Sequence, residues 1–519
     1  MAHRKRRRVR LFFHKIINRI TLTALLLLVQ LGWLFWMFWQ LSQYALWINT
    51  ALTVVSLVLA LHIVRREENP AYKLSWLLVM CVAPLFGLFI YLLFGNKNLS
   101  RRLRRKLEAV DRDHPIPVAT PIDDACGDLP SRTRATCRYL ETHAHAPAFR
   151  DTEVRYFPLG DDLYPALLAD LETAKHYIFL EYFIIAEGRM LDGVLEVLTR
   201  KAAEGVDVRI IYDDLGCEAA TPLSFVWEAE KRGIRTLAFN PIVPLVSIVM
   251  NHRDHRKITV IDGRVAYTGG INIADEYINQ KVRFGHWKDT GVRLCGPAAH
   301  SFAVMFLNLW NALRPTETDY APFLPVPTDK VHEAHTSPIV QPYADSPLDD
   351  ENVGETVYLD ILAQAERYVY IFTPYLIIDT EMQSALCCAA KRGVDVRLVV
   401  PGIPDKRTAF RLTRSYYGVL MRAGVRIYEY TPGFLHAKSF VADDRIGVVG
   451  SVNMDYRSLY LHFECGVLFV GGTAITHLKE DALATMDASH EVTERELSRP
   501  KRLWLRLVDA VLRALSPLF

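Results

Sequence analysis

One charged pattern occurs twice in this chain, and that repetition limits the possible folds more than any other feature. The first copy is His255-Arg256-Lys257, then Asp262, then Gly269-Gly270-Ile271-Asn272; the second is His436-Ala437-Lys438, then Asp443, then Gly450-Ser451-Val452-Asn453. In both, lysine follows histidine by two positions, aspartate follows lysine by five, and glycine follows aspartate by seven. The likeness extends beyond the motifs. Tyr177-Ile178-Phe179 returns as Tyr370-Ile371-Phe372, Val206-Asp207-Val208-Arg209 as Val394-Asp395-Val396-Arg397, and Lys231-Arg232-Gly233-Ile234-Arg235 as Arg422-Ala423-Gly424-Val425-Arg426. A lone His-x-Lys carries little information. Two complete copies with matched internal spacing imply an internal duplication.

Within each copy, short β-rich runs (177–180, 206–212 and 258–261 in the first) alternate with helical stretches. Such alternation predicts an α/β fold of two pseudo-symmetric domains, each with a central mixed sheet. Gly205 and Gly393 stand where a helix ends and a strand begins, as C-terminal helix glycines do. At 519 residues the chain exceeds one ordinary domain. The expected division is a first domain over 135–313, a linker over 314–350 rich in proline, threonine and aspartate, and a second domain over 351–485.

Half the residues are hydrophobic, and the excess lies in the first hundred positions. A cationic block at 4–10 precedes apolar stretches at 16–39, 45–64 and 74–94, each near the roughly 20 residues that cross a bilayer as a helix. Residues 1–110 are therefore expected to form a membrane anchor of two or three apolar helices. Trp33, Trp36, Trp39, Tyr44 and Trp47 fit an interfacial belt. Basic residues at 4–10, 65–66 and 101–106 all call for the cytoplasmic side, which three full crossings cannot satisfy. The arrangement expected is a hairpin of the first two stretches and a shallow or broken third, interrupted at Pro84 and Gly87, with the catalytic part facing the cytoplasm.

At the other end, 498–519 forms an amphipathic helix pattern. Trp504, Leu507, Val508, Val511 and Leu515 take one face and Arg502, Arg506, Asp509 and Arg513 the other. It suits an anionic membrane surface or packing on the core. The apolar segment 241–250, just ahead of the first motif, fits either a buried strand or a loop dipping into lipid. A net charge of only +3 and the lack of an interleaved basic–aromatic groove argue against nucleic acid as a partner. The eight cysteines show no C-x-x-C pair, which disfavours a zinc site or a disulfide framework built on them.

In His-x-Lys on a strand, residues i and i+2 point to one face, so imidazole and ammonium project together. Glycine at 269–270 and 450 allows close backbone approach to an anion, and the asparagine amides add neutral donors. Two such units facing each other make a pocket for a phosphodiester, whose transfer needs charge neutralisation, a nucleophile and a proton donor. The catalytic candidates are His255, Lys257, Asp262, His436, Lys438 and Asp443. Asn272, Asn453, Gly270 and Ser451 are the phosphate-binding candidates. The two motif aspartates fit a second role equally well, bracing the motif loop. Asp289 and Glu464, each just ahead of a Gly-Val pair, are candidates to fix the histidine tautomers.

The paired motifs resemble the HKD signature of the phospholipase D superfamily, and the chain around them resembles bacterial cardiolipin synthases over nearly its whole length. Matching stretches include Asn69-Pro70, 74–95, 181–184, 251–257, 268–277, 287–290, 414–417, 428–438 and 453–464. The first apolar stretch departs from the many members that have only two. The resemblance implies a metal-independent, cofactor-free phosphatidyl transfer at the bacterial cytoplasmic membrane. One histidine, assigned as His255, attacks phosphatidylglycerol to form a phosphatidyl-histidine. The other, His436, acts as acid and base. Lys257, Lys438, Asn272 and Asn453 hold the phosphoryl oxygens. The partners implied are phosphatidylglycerol, other anionic phospholipids and the membrane. The motifs build the phosphatidyl-enzyme and leave the acceptor open, so hydrolysis or another acceptor alcohol is the alternative. A nuclease fits the membrane segments poorly, and a non-catalytic scaffold fits two intact motifs poorly.

Overall fold

The computed structural model describes residues 28–33, 35–37, 39–40, 46–66, 68–94, 101–118, 121–218, 220–222, 224–241, 251–324, 337–497 and 503–518. The cationic block at 4–10, most of the first apolar stretch and 242–250 lie outside them.

Two sheets of matching topology form the main body. In the first, the order across the sheet is Glu153–Phe157, Gly291–Cys295, Val265–Gly269, Lys257–Ile261, Tyr177–Tyr182, Asp207–Asp213 and Arg235–Phe239. The last three strands run parallel and the others antiparallel. The second repeats this order with Ile339–Asp345, His462–Val470, Ile446–Gly450, Ser439–Ala442, Tyr368–Phe372, Asp395–Pro401 and Arg426–Tyr430, then adds Ser489–Glu491. Both sheets are mixed, as the alternating pattern predicts.

Strand alternation sorts the side chains into three cores. Phe179 and Val260 of the first sheet and Tyr370, Val441 and Val467 of the second share one core. Between them lie the helices Ala299–Leu313 and Thr473–Asp487, contributing Phe302, Phe306, Trp310, Ile475 and Leu478. Neighbours on the strands face outward. Ile178 and Leu180 pack under Gly160–Leu171 and Arg189–Ala203, and Ile371 and Leu398 under Val353–Gln364 and Thr380–Lys391. Each fully buried Phe or Leu contributes about 1.5–3 kcal/mol, so the shared inner core binds the two units into one body.

Two expected boundaries need correction. Part of the supposed linker, Ile339–Asp345, is the edge strand of the second sheet, paired from Ile339↔Val470 to Asp345↔Glu464. Pro342 suggests a linker, but an edge strand tolerates proline where its nitrogen faces away from the neighbouring strand, and among the described residues the outer side of this one makes only the Val340–Phe149 bridge. At the front, Ser131–His143 belongs with the second unit, not the first. Its Cys137 and Leu140 enter the second unit's outer core, and Thr133 donates to Gln364 at 2.8 Å.

The N-terminal stretches also differ from expectation. Among the described residues, no helix is long and apolar enough to cross a membrane. The second stretch is the helix Leu46–Arg65, interrupted by polar Thr50, Thr53, Ser56 and His62. The third is broken: Pro70–Val82 ends at Ala83, and Pro84–Phe94 starts afresh. The 13- and 11-residue pieces reach only about 20 and 17 Å at 1.5 Å per residue. Pro84 cannot donate within the first helix, which therefore stops, and proline then suits the start of the next. The helices meet around Ile63, Trp76, Met80 and Tyr91.

Candidate active site

Each motif histidine is built from both halves of the chain. Arg253–Asp254, just ahead of His255, pairs in parallel with His462 and Phe463 of the second sheet, and His255 N–H donates to the Phe463 carbonyl at 2.9 Å. In mirror fashion, Gly433–Leu435 pairs in parallel with His286–Lys288 of the first unit, and His436 N–H donates to the Lys288 carbonyl at 2.7 Å. Gly433 permits this, since a Cβ there would collide with the His286 backbone.

This exchange sets the carboxylates. Glu464, from the second sheet, lies 2.9 and 3.0 Å from Nδ1 of His255. Asp289, from the first unit, lies 2.6 Å from Nδ1 of His436. Both carboxylates are fully buried. Gly270 leaves room for Asp289, whose carboxylate a Cβ would strike. At the equivalent place Ser451 donates its hydroxyl to Glu464.

His-x-Lys is not a continuous strand here. The strands begin only at Lys257 and Ser439, and the Arg256 guanidinium reaches Glu181 (2.6 Å) and Asp254 (3.1 Å). Lys257 Nζ donates back to the His255 carbonyl, and Lys438 Nζ to that of His436. Lys438 Nζ also stands 2.8 Å from Nδ1 of His436.

Burial, and then the charges of both lysines, push each imidazole well below the usual histidine range. His255 also feels the charge of His436. Burial lowers Lys257 to about 8 and Lys438 to about 7. It raises Asp289 to about 7, against the pull of Lys438.

Several sequence candidates take other places. Asp262 and Asp443 do not face the histidines. Each lies beyond the far end of its strand, roughly 16 Å along five residues. Asp262 accepts from the backbone N–H groups of Lys175, His176 and Tyr177, each at 2.8 Å. Asp443 accepts from those of Glu366, Arg367 and Tyr368 at 2.7, 2.8 and 3.0 Å. Both brace the turn into the neighbouring strand. Asp262→Asn is expected to lose one or two of these bonds, lowering stability by about 1–3 kcal/mol, with turnover per folded molecule unchanged. Thermal melts beside single-turnover rates check this, and a collapsed rate with an unmoved melt would return the aspartate to the chemistry.

The phosphate-binding candidates are mixed. Gly270 N–H is already donated to the Thr290 carbonyl, and the Ser451 hydroxyl serves Glu464. Neither is free for substrate as expected, because both positions support the orienting carboxylates. Asn272 accepts from Ile184 N–H at 3.0 Å and donates to Tyr277 Oη at 2.7 Å, leaving one amide hydrogen. Asn453 is buried, and its Oδ1 makes no hydrogen bond among the described residues.

Sequence reasoning missed the walls of the cleft. Phe183 stands edge-on to His255 at 5.0 Å between centroids. Tyr277, Trp287 and Phe434 surround His436 at 5.5–5.7 Å. It also missed His462, whose ring lies 5.5 Å from that of His255. The only available signal was that Trp287 and Phe434 each stand close ahead of a site residue.

A duplicated mixed-sheet body with two buried His-x-Lys motifs, each histidine held by a carboxylate of the other half, defines an enzyme of the phospholipase D type. The family described as "Cardiolipin synthase, PLD-like domain" matches residues 167–284 and 358–484, and the one described as "Phospholipase_D-nuclease N-terminal" matches 54–96. An uncharacterized protein of Streptococcus mutans is 43% identical, over 88% of this chain and 99% of its own. Cardiolipin synthase 2 of Bacillus cereus is 34% identical over 90% of each. In fold, the phosphatidylserine synthase of Haemophilus influenzae superposes with a TM-score of 0.56 at 14% identity, covering 75% of this chain and 98% of that one. The chain belongs to the bacterial cardiolipin synthase family of the phospholipase D superfamily, and it is a phosphatidyltransferase.

Proposed function

We propose that the enzyme transfers a phosphatidyl group from one phosphatidylglycerol to another, releasing glycerol and forming cardiolipin through a phosphatidyl-histidine. The observation that carries this reading is the unequal treatment of the two histidines. Among the described residues, Nδ1 of His255 hydrogen-bonds only to a carboxylate, so it keeps its proton there and offers the Nε2 lone pair, as a nucleophile must. Nδ1 of His436 meets Lys438 as well as Asp289. Asp289 accepts from Nδ1–H, and the ammonium beside the ring makes the imidazolium, with its second proton on Nε2, a readier acid.

In the first step Nε2 of His255 forms the N–P bond as the P–O bond to glycerol breaks, and Nε2 of His436 gives that oxygen its proton. In the second, His436 takes the proton of a phosphatidylglycerol hydroxyl, whose oxygen bonds to phosphorus as the N–P bond breaks. Lys257 and Lys438 neutralise the phosphoryl oxygens in a dry site where charge counts most. The aromatic walls disfavour water as the competing acceptor.

The same reading sets the enzyme on a bilayer, with its catalytic body on the cytoplasmic side and the N-terminal region holding it to the membrane surface. Exposed Leu57, Val58, Leu61, Leu74 and Val82 support this, as does the C-terminal helix Leu503–Leu515. That helix turns its charged side to the protein: Asp509 pairs with Arg411, and Arg513 donates to Gln383 at 2.9 Å. Trp504, Leu507 and Val511 are left more than half exposed, at 56%, 62% and 53%. An apolar stripe of this kind seeks lipid.

Purified enzyme given labelled phosphatidylglycerol should yield cardiolipin and free glycerol by mass, with none from His255→Ala or His436→Ala. Phosphatidic acid as sole product would make the enzyme a hydrolase.

A further inference from the structure

We propose that His255, His462 and Glu464 form a zinc site that reversibly switches the enzyme off. All three lie at the junction where Arg253–Asp254 pairs with the start of His462–Val470. One donor atom from each lies within 4.8 Å of the others. Nδ1 of His255 is 2.9 Å and Nδ1 of His462 is 3.8 Å from the same Glu464 oxygen. Zinc bonds of about 2.0–2.2 Å in tetrahedral geometry set donor atoms roughly 3.3–3.6 Å apart. Shifts of about an ångström or less in two side chains would therefore close the site.

His462 sets its ring against that of His255, 5.5 Å between centroids. Its side chain is only 11% exposed, and its Nδ1 makes no hydrogen bond among the described residues. A buried imidazole nitrogen aimed past hydrogen-bond range at a carboxylate is an unfilled ligand position. Two nitrogens and one carboxylate suit zinc and similar transition ions, whereas magnesium and calcium want oxygens. Three protein ligands leave a fourth position for water.

The ammonium groups of Lys257 and Lys438 act on His255 from nearby, and they oppose a cation. Glu464 and Asp289 offset them only in part. The site is thus one for a reversible inhibitor and not for a resident ion. Zinc there occupies the imidazole assigned as nucleophile and takes Glu464 from it. This inhibitory consequence rests on the function proposed above; the binding does not.

Cobalt(II) titrated into full-length enzyme in detergent micelles reads binding without activity. One equivalent should give the visible bands of four- or five-coordinate cobalt, and ZnCl2 should displace them. His462→Asn and His462→Gln, with folding checked by circular dichroism, should weaken binding and raise the half-inhibitory ZnCl2 concentration, each by at least about 10-fold. Bands unchanged in both folded variants would overturn the site, as would thiolate charge-transfer bands placing the metal on cysteine. Cobalt bound through His462 with turnover untouched by zinc would overturn the switch. Should the enzyme make no cardiolipin, the cobalt spectrum still decides the site.

Discussion

His255→Ala should abolish phosphatidyl transfer, by about 10⁶-fold if the residue is the nucleophile, and should leave no lipid label on protein denatured in alkaline detergent, which spares an N–P bond. His436→Ala should behave differently. Loss of a general acid costs about 10²–10⁴-fold with a poor leaving group and much less with a good one. A phosphatidyl ester of p-nitrophenol, whose phenolate leaves unprotonated, should therefore label the His436→Ala enzyme stoichiometrically. That label should persist, because the second step still needs a base. The contrast follows from the Nδ1 partners: a carboxylate alone at His255, a carboxylate and an ammonium at His436. Label on the His255→Ala protein and none on His436→Ala would exchange the roles. Neither variant should melt much below the parent, since each removes a ring from a cleft whose walls are held by Phe183, Trp287 and Phe434.

The parts legible in sequence were those carried by short-range pattern. Alternation of strand and helix implied mixed sheets, and repeated spacing picked out His255, Lys257, His436 and Lys438. Spacing failed where the strands Lys257–Ile261 and Ser439–Ala442 carry Asp262 and Asp443 away from the histidines they accompany in the motif. It was silent on partnership across the duplication: neither Glu464 nor Asp289 announces that it serves the histidine of the opposite half. That exchange depends on two parallel pairings, Arg253↔His462 and Gly433↔His286, joining segments more than 140 residues apart. Periodicity likewise divided the C-terminal helix into two faces without telling which one meets protein. The charged face does, because Arg411, Gln383 and Tyr416 offer it partners.

Because the carboxylates are exchanged, Glu464→Gln should act on the chemistry of His255, and Asp289→Asn on that of His436. Each replacement keeps volume and some hydrogen bonding while removing the charge that fixes the tautomer. A comparable change at an orienting aspartate costs about 10⁴-fold in turnover, and losses of about 10³–10⁴ are expected here. Glu464→Gln should slow formation of the labelled protein from the p-nitrophenyl substrate, since the nucleophile is spoiled. Asp289→Asn should leave that step nearly intact and slow release to the acceptor. The two also differ in pH dependence. Asp289 is the largest influence holding the charge of Lys438 against burial, which brings that ammonium to about 7. Without the carboxylate the ammonium loses its proton at still lower pH. The alkaline limb of kcat/KM, which follows the free enzyme, should then move to lower pH in Asp289→Asn. An alkaline limb that stays in place, or a labelling step slowed by Asp289→Asn and spared by Glu464→Gln, would show that each carboxylate serves its own half.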